Sequence, residues 1–202
     1  MTIAPVVLEG GNVRLEPIGP THLERLEAQA RMEPEIFAWM STGNMGEPGR
    51  LRAFIERATA ELAAGREIGF AVLDRRTNEP LGTSSMYRVD PVHRVLEIGR
   101  TWYAARARRT AVNTQAKRLL FEHAFETLGA HRVELRTDSR NLRSRSAIER
   151  VGATFEGIIR YNVIMPDGYV RDTASFAIVS AEWPDVRARL DSMLLAPRGS
   201  RT

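Results

Sequence analysis

Arg106, Arg108 and Arg109 crowd together directly ahead of Thr110-Ala111-Val112-Asn113-Thr114, a run that opens an amphipathic helix. The first N–H groups of a helix lack intrahelical partners and act like about half a positive charge. Guanidinium groups there have the wrong sign for stability, at roughly 0.3–1 kcal/mol per exposed charge. An anion reverses the sign, because amides at a helix start and flanking arginines together form a phosphate cradle. Asn141 and Ser144, further along the chain, complete the polar constellation. Taken alone, the turn reads equally as a solvated basic loop.

The elements around this turn follow from periodicity. Val95 to Tyr103 is rich in β-branched and aromatic residues and reads as a strand. Ala116, Leu119, Leu120, Ala124 and Leu128 recur at helical spacing and predict one helix ending at Gly129. His131 to Asp138 alternates as a further strand, and the intervening helix makes the two strands parallel, in a right-handed βαβ unit. Before this unit, Val13–Pro17 predicts a strand, 20–31 and 51–64 predict helices flanking a Gly-rich loop, and 68–74 and 81–89 predict a hairpin. After it come a short helix over 143–150, strands over 154–165 and 171–179 joined by Pro166-Asp167-Gly168-Tyr169, and a helix near 183–194. With no repeats and no linker, residues 1–202 read as one mixed α/β domain with a core of about 13–190, and 196–202 as a flexible tail.

Composition narrows the chemistry. The 202 residues carry a net charge of +4, and Lys117 is the single lysine among 29 basic residues. Cysteine is absent, so disulfides, thiolate metal sites and a cysteine nucleophile are excluded. His22, His93, His123 and His131 show no metal-ligand spacing, and neither a Gly-x-Ser-x-Gly elbow nor a Walker-type loop occurs. The N-terminus lacks a basic, then apolar, leader pattern and no apolar run reaches membrane-spanning length, so the expectation is a soluble cytoplasmic protein without a membrane partner.

Arg108-Arg109-Thr110-Ala111-Val112-Asn113 at a helix start resembles the pyrophosphate loop of the GNAT superfamily of N-acyltransferases. Asn141-x-x-Ser144 followed by Ile148-Glu149-Arg150-Val151-Gly152-Ala153 is similar to that family's Asn-x-x-Ser and Glu-Lys-Leu-Gly-Phe segment. Asp167 to Thr173 and Glu182-Trp183-Pro184 resemble the ribosomal-protein N-terminal acetyltransferase-like, RimJ/RimL-type branch. Ala111 replaces the loop's first glycine and needs a negative φ to be tolerated there. Asn113 replaces its last Gly or Ala, and Ile148 stands where the branch has a tyrosine acid.

The resemblance implies a central mixed, twisted sheet flanked by helices, whose parallel central strands splay to form an acyl-CoA cleft. It implies acetyl-CoA as cosubstrate, no metal, and a primary amine as acceptor, on a protein N-terminus or a small molecule, acetylated by direct attack in a ternary complex. Backbone N–H groups from Arg109 to Thr114 are then expected on the diphosphate, with Arg108 beside them and Arg106, Arg108 or Arg140 on the ribose phosphate. Glu97 matches a general-base position; its alternative is a carboxylate paired with Arg94 or with an arginine of the next strand. Thr101 or Trp102 offers a backbone N–H to the acetyl carbonyl. Ser144 is the candidate acid for the thiolate, or else a helix cap, and Asn141 positions pantetheine. The competing classes are an acyl-CoA-binding regulator without turnover and, less favoured for want of interleaved aromatics, a nucleic-acid binder. A homodimer is compatible with the sequence.

Overall fold

The computed structural model describes residues 1–196. Eight strands form one sheet in the order β1-β2-β3-β4-β5-β6-β8-β7. They are β1 (Leu8–Gly10), β2 (Val13–Pro17), β3 (Ile68–Asp74), β4 (Pro80–Asp90), β5 (Val95–Tyr103), β6 (Arg132–Asp138), β7 (Thr154–Ile164) and β8 (Val170–Val179). β5 and β6 are the parallel pair, and the other neighbours run antiparallel. The helix joining β5 to β6 forces this parallel arrangement, as the sequence predicts.

Helices cover both faces. α1 (Leu23–Met32) and α2 (Arg50–Ala63) lie over a core cluster containing Leu26, Phe54, Ile55, Ala71, Leu73 and Trp102. α3 (Val112–Glu122) and α5 (Trp183–Leu195) close a larger cluster with Phe70, Met86, Leu96, Ile98, Leu120, Phe121 and Phe176. α4 (Leu142–Arg150) follows β6. Residues 197–202 of the segment read as a tail lie outside the described residues.

Three differences from the periodicity reading have local causes. β1 pairs with β2 across the Gly11-Asn12 turn, and its three residues are too few to show alternation. The helix expected over 20–31 begins as a single 3₁₀ turn at Pro20–His22. The stripe running to Leu128 is shared by α3 and a π-helical turn at His123–Thr127, which keeps both Ala124 and Phe125 buried and stacks Phe125 on Trp183.

Candidate acyl-CoA cleft and active site

β5 and β6 begin as a regular pair at Val95↔Arg132 and Leu96↔Val133, and their ladder stops at Glu97↔Glu134. Both strands continue, β5 along β4 to Tyr103 and β6 along β8 to Asp138. Their facing edges past Glu97 therefore carry backbone donors and acceptors that do not pair with each other.

The divergence has a cause within β5. Thr83 pairs with Trp102 and Ser85 with Gly99, so β5 carries one residue more than β4 here, a β-bulge that bends the strand. Arg100 lies in the bulge at φ 49°, a conformation seldom taken by residues other than glycine. Side chains pin it. Thr83 Oγ1 donates to the Arg100 carbonyl at 3.1 Å, Thr101 Oγ1 and Ser84 Oγ share a hydrogen bond of 2.8 Å, and Lys117 Nζ donates to Thr101 Oγ1 at 3.3 Å.

The cradle stands at the C-terminal end of β5. Ala111 has φ −71°, so its methyl group fits the loop without strain. Val112 N–H bonds Thr110 Oγ1 at 3.2 Å, and Gln115 N–H starts the helical ladder on the Ala111 carbonyl at 2.8 Å. Among the described residues the N–H groups of Asn113 and Thr114 have no partner outside the helix. Arg109 holds a left-handed φ of 58°. Arg108 is engaged by Glu33, whose other oxygen takes Ala105 N–H at 2.8 Å. Burial, and then the charge of Arg143 at the start of α4, lowers the Arg108 pKa. Arg150, at the end of α4, reaches Thr114 Oγ1 at 3.3 Å. Cations thus approach the helix start from two elements, which suits a multiply charged anion.

The three arginines expected near the ribose phosphate all have partners within the protein. Arg106 donates to the Pro80 carbonyl at 2.8 Å. Arg140 pairs with Asp138 and stacks over the Tyr169 ring at 3.7 Å from its centroid. Arg106, Arg108 and Arg140 are thus each engaged within the protein, while Arg143, from outside the set expected from sequence, adds its charge beside Arg108.

At the apex, Glu97 is 3% exposed. The Tyr87 hydroxyl donates to Glu97 Oε1, while Arg88 lies 3.4 Å and Arg136 3.7 Å from Oε2. The arginine on the next strand required by the pairing alternative is thus present, alongside a buried hydrogen-bonded carboxylate. Burial, and then the Glu97 charge, drives the Tyr87 pKa far above its ordinary value, so its hydroxyl stays a donor. Tyr87 is itself held by Arg100, stacked 4.0 Å from its ring centroid and paired with Glu67, which also takes two hydrogen bonds from Arg57 at 2.8 and 3.1 Å.

Of the other expected residues, Asn141 is the cap of α4, with Oδ1 accepting Ser144 N–H at 3.0 Å. The capping role considered for Ser144 belongs to Asn141, since Ser144 is already in the first turn. The Trp102 ring is core, edge-on to Phe37 at 5.3 Å, so only its backbone can face the cleft. The sequence pattern does not mark Tyr87, Glu33 and Arg143, whose roles depend on contacts between distant segments. Lys117 did carry a signal, as a lone lysine within an apolar helical stripe.

A strand pair that opens beyond a buried carboxylate, with a basic helix start at its far end, is the arrangement that the resemblance to N-acyltransferases implies. Residues 12–154 match the acetyltransferase (GNAT) domain family, and the chain belongs to that family. It is 25% identical over 185 residues to the probable N-acetyltransferase YjcK of Bacillus subtilis (strain 168), spanning 87% of this chain and 98% of the relative. A second protein of that strain, provisionally named ribosomal N-acetyltransferase YdaF, is 32% identical over 102 residues, half of this chain and 55% of its own length. A GCN5-related N-acetyltransferase from Brucella melitensis superposes with a TM-score of 0.86 at 29% identity, over 100% of this chain and 92% of that one. Mycobacterium smegmatis RimJ in complex with CoA-disulfide shares the fold, with a TM-score of 0.79 at 22% identity over 96% and 94% of the two chains. The protein is an acetyltransferase with relatives in the RimJ/RimL-type branch. Among the described residues no cluster of His, Asp or Glu could hold a metal ion, and no helix is long and apolar enough to cross a membrane.

Proposed function

We propose that this chain transfers an acetyl group from acetyl-CoA to a primary amine, on a protein N-terminus or a small molecule, by direct attack with both substrates bound. The observation that carries this reading is the end of the β5–β6 ladder at Glu97, with the helix-start amides of Asn113 and Thr114, which among the described residues have no partner outside the helix, beyond it. Acetyl-CoA supplies the activated acyl group. Residues 109–114, with Arg108, hold its diphosphate, and the open strand edges offer amide partners to its arm.

Glu97 accepts the proton of the amine through water, its carboxylate oriented by Tyr87 and ion-paired with Arg136. Thr101 contributes a backbone N–H to the acyl oxygen. Ser144, beyond the Asn141 cap, gives its proton to the departing sulfur. Free thiol released from acetyl-CoA, measured over a panel of small amines and peptides of differing N-terminal residue, tests the reading. Thermal stabilisation by acetyl-CoA with no thiol release from any acceptor would instead favour an acyl-CoA-binding regulator.

A further inference from the structure

Lys117 is 6% exposed, and no carboxylate lies within 4 Å of it among the described residues. Among the described residues its ammonium makes one hydrogen bond, to Thr101 Oγ1 in the bulge of β5. Helical side chains lean toward the helix N-terminus. That lean is toward the first turn of α3, where Asn113 is only about 6 Å along the axis from Lys117, and the Lys117 ammonium itself is held at Thr101 on β5. A methionine would fill the same space without a charge to desolvate.

We propose that Lys117 is the internal counter-charge of the acyl-CoA cleft, pinning the β5 bulge through Thr101 while the cleft is empty and binding a proton when a diphosphate settles on the first turn of α3. This rests on the assignment of that turn to the cosubstrate diphosphate. A buried ammonium without an anionic partner is strongly disfavoured and gives up its proton instead. Burial alone lowers the Lys117 pKa from 10.5 to about 7.

The charged neighbours of α3 leave this unopposed. Arg118 is tied to Glu122 and to Asp191 of α5. Arg150 of α4 bonds Thr114. On β5, burial raises the pKa of Tyr103, so that group is neutral. From β4 the contribution at this point is the neutral Ser84 hydroxyl. Burial lowers the His123 pKa at the far end of the helix. Among the described residues no carboxylate pairs with Lys117, so an arriving diphosphate is the charge that can restore its proton. The resulting ammonium keeps two further donors for the cleft.

The test is calorimetric titration of free CoA, which cannot turn over, into the full chain at pH 8, in Hepes and in Tris, whose ionisation heats differ. The wild type should take up roughly half a proton or more per CoA, and its affinity should weaken as pH rises from 7 to 9. Lys117→Met and Lys117→Arg, one never charged and one always charged, should both lose that uptake and flatten the pH dependence. CoA binding with no uptake, or with equal uptake in all three proteins, overturns the assignment of Lys117 while leaving the acetyltransferase reading intact. No CoA binding by the folded wild type overturns both.

Discussion

Glu97 and Glu134 are directly opposed as the last paired residues of β5 and β6, and their carboxylates are kept apart by one arginine. Arg136 donates to Glu134 at 2.7 Å and sits 3.7 Å from Glu97. Two like charges across a strand pair are destabilising, and the shared guanidinium removes that cost at the point where the sheet opens. Arg136 faces Glu97 Oε2 as an ion pair without a hydrogen bond, and the hydrogen bond that orients the carboxylate comes from Tyr87 on its other oxygen.

That orientation depends on Gly99. A methyl group there would lie 2.8 Å from the Tyr87 hydroxyl, so Gly99→Ala must push the ring off Glu97. Glu97→Gln should lower kcat by about 10²–10⁴, the usual span for a lost general base. Gly99→Ala and Tyr87→Phe should each lower kcat by a smaller factor, with the Kd for CoA unchanged. Steady-state kinetics on the three variants decides it; wild-type turnover in Glu97→Gln would leave the carboxylate a structural ion-pair partner.

Arg109 couples strain to binding. Its φ of 58° costs an L-residue about 1 kcal/mol that glycine avoids. Arg109→Gly should raise the melting temperature of the free protein. The same change removes a cation from the cradle and should weaken CoA binding. A variant that loses both stability and affinity would show that the loop is held open by Arg109 contacts instead.

Glu33 competes for the cradle from within the protein. It lies 72 positions from Ala105 in sequence, yet takes its N–H and pairs with Arg108. Glu33→Gln should release Arg108 and tighten CoA binding severalfold, whereas Arg108→Glu should weaken it about tenfold or more, the scale of one charge-assisted hydrogen bond. Titration of CoA into each variant reads both signs. Weaker binding in Glu33→Gln would mean that the carboxylate positions Arg108 for the ligand.

These cases mark where the sequence was readable. β5 and the α3 stripe were visible because each is a run with its own period, and the turn at Asp167-Gly168 because its residue types are those a hairpin selects. The extra residue at Arg100 was hidden, since an arginine in left-handed conformation leaves no mark in the sequence. Glu33, Tyr87 and Arg143 were hidden for a different reason. Each acts on a partner from another part of the chain, and such pairings come from packing rather than local pattern.

Lys117 makes folding stability fall as pH falls, the direction of acid denaturation, but in a window above neutral pH. Its pKa is 10.5 as the reference and about 7 in the fold, so between these values the unfolded chain holds more protons. Stability then rises with pH across that window. Below about 7 the lysine is protonated in both states, and the full penalty of burying it applies. Lys117→Met should therefore stabilise the free protein most below pH 7, and the gain should shrink steadily as pH approaches 10.5. Urea midpoints of the two proteins over a pH series measure the difference, in which the other titrating groups cancel. A constant difference across the series would mean that the folded lysine keeps its charge, with a partner for it inside the cleft.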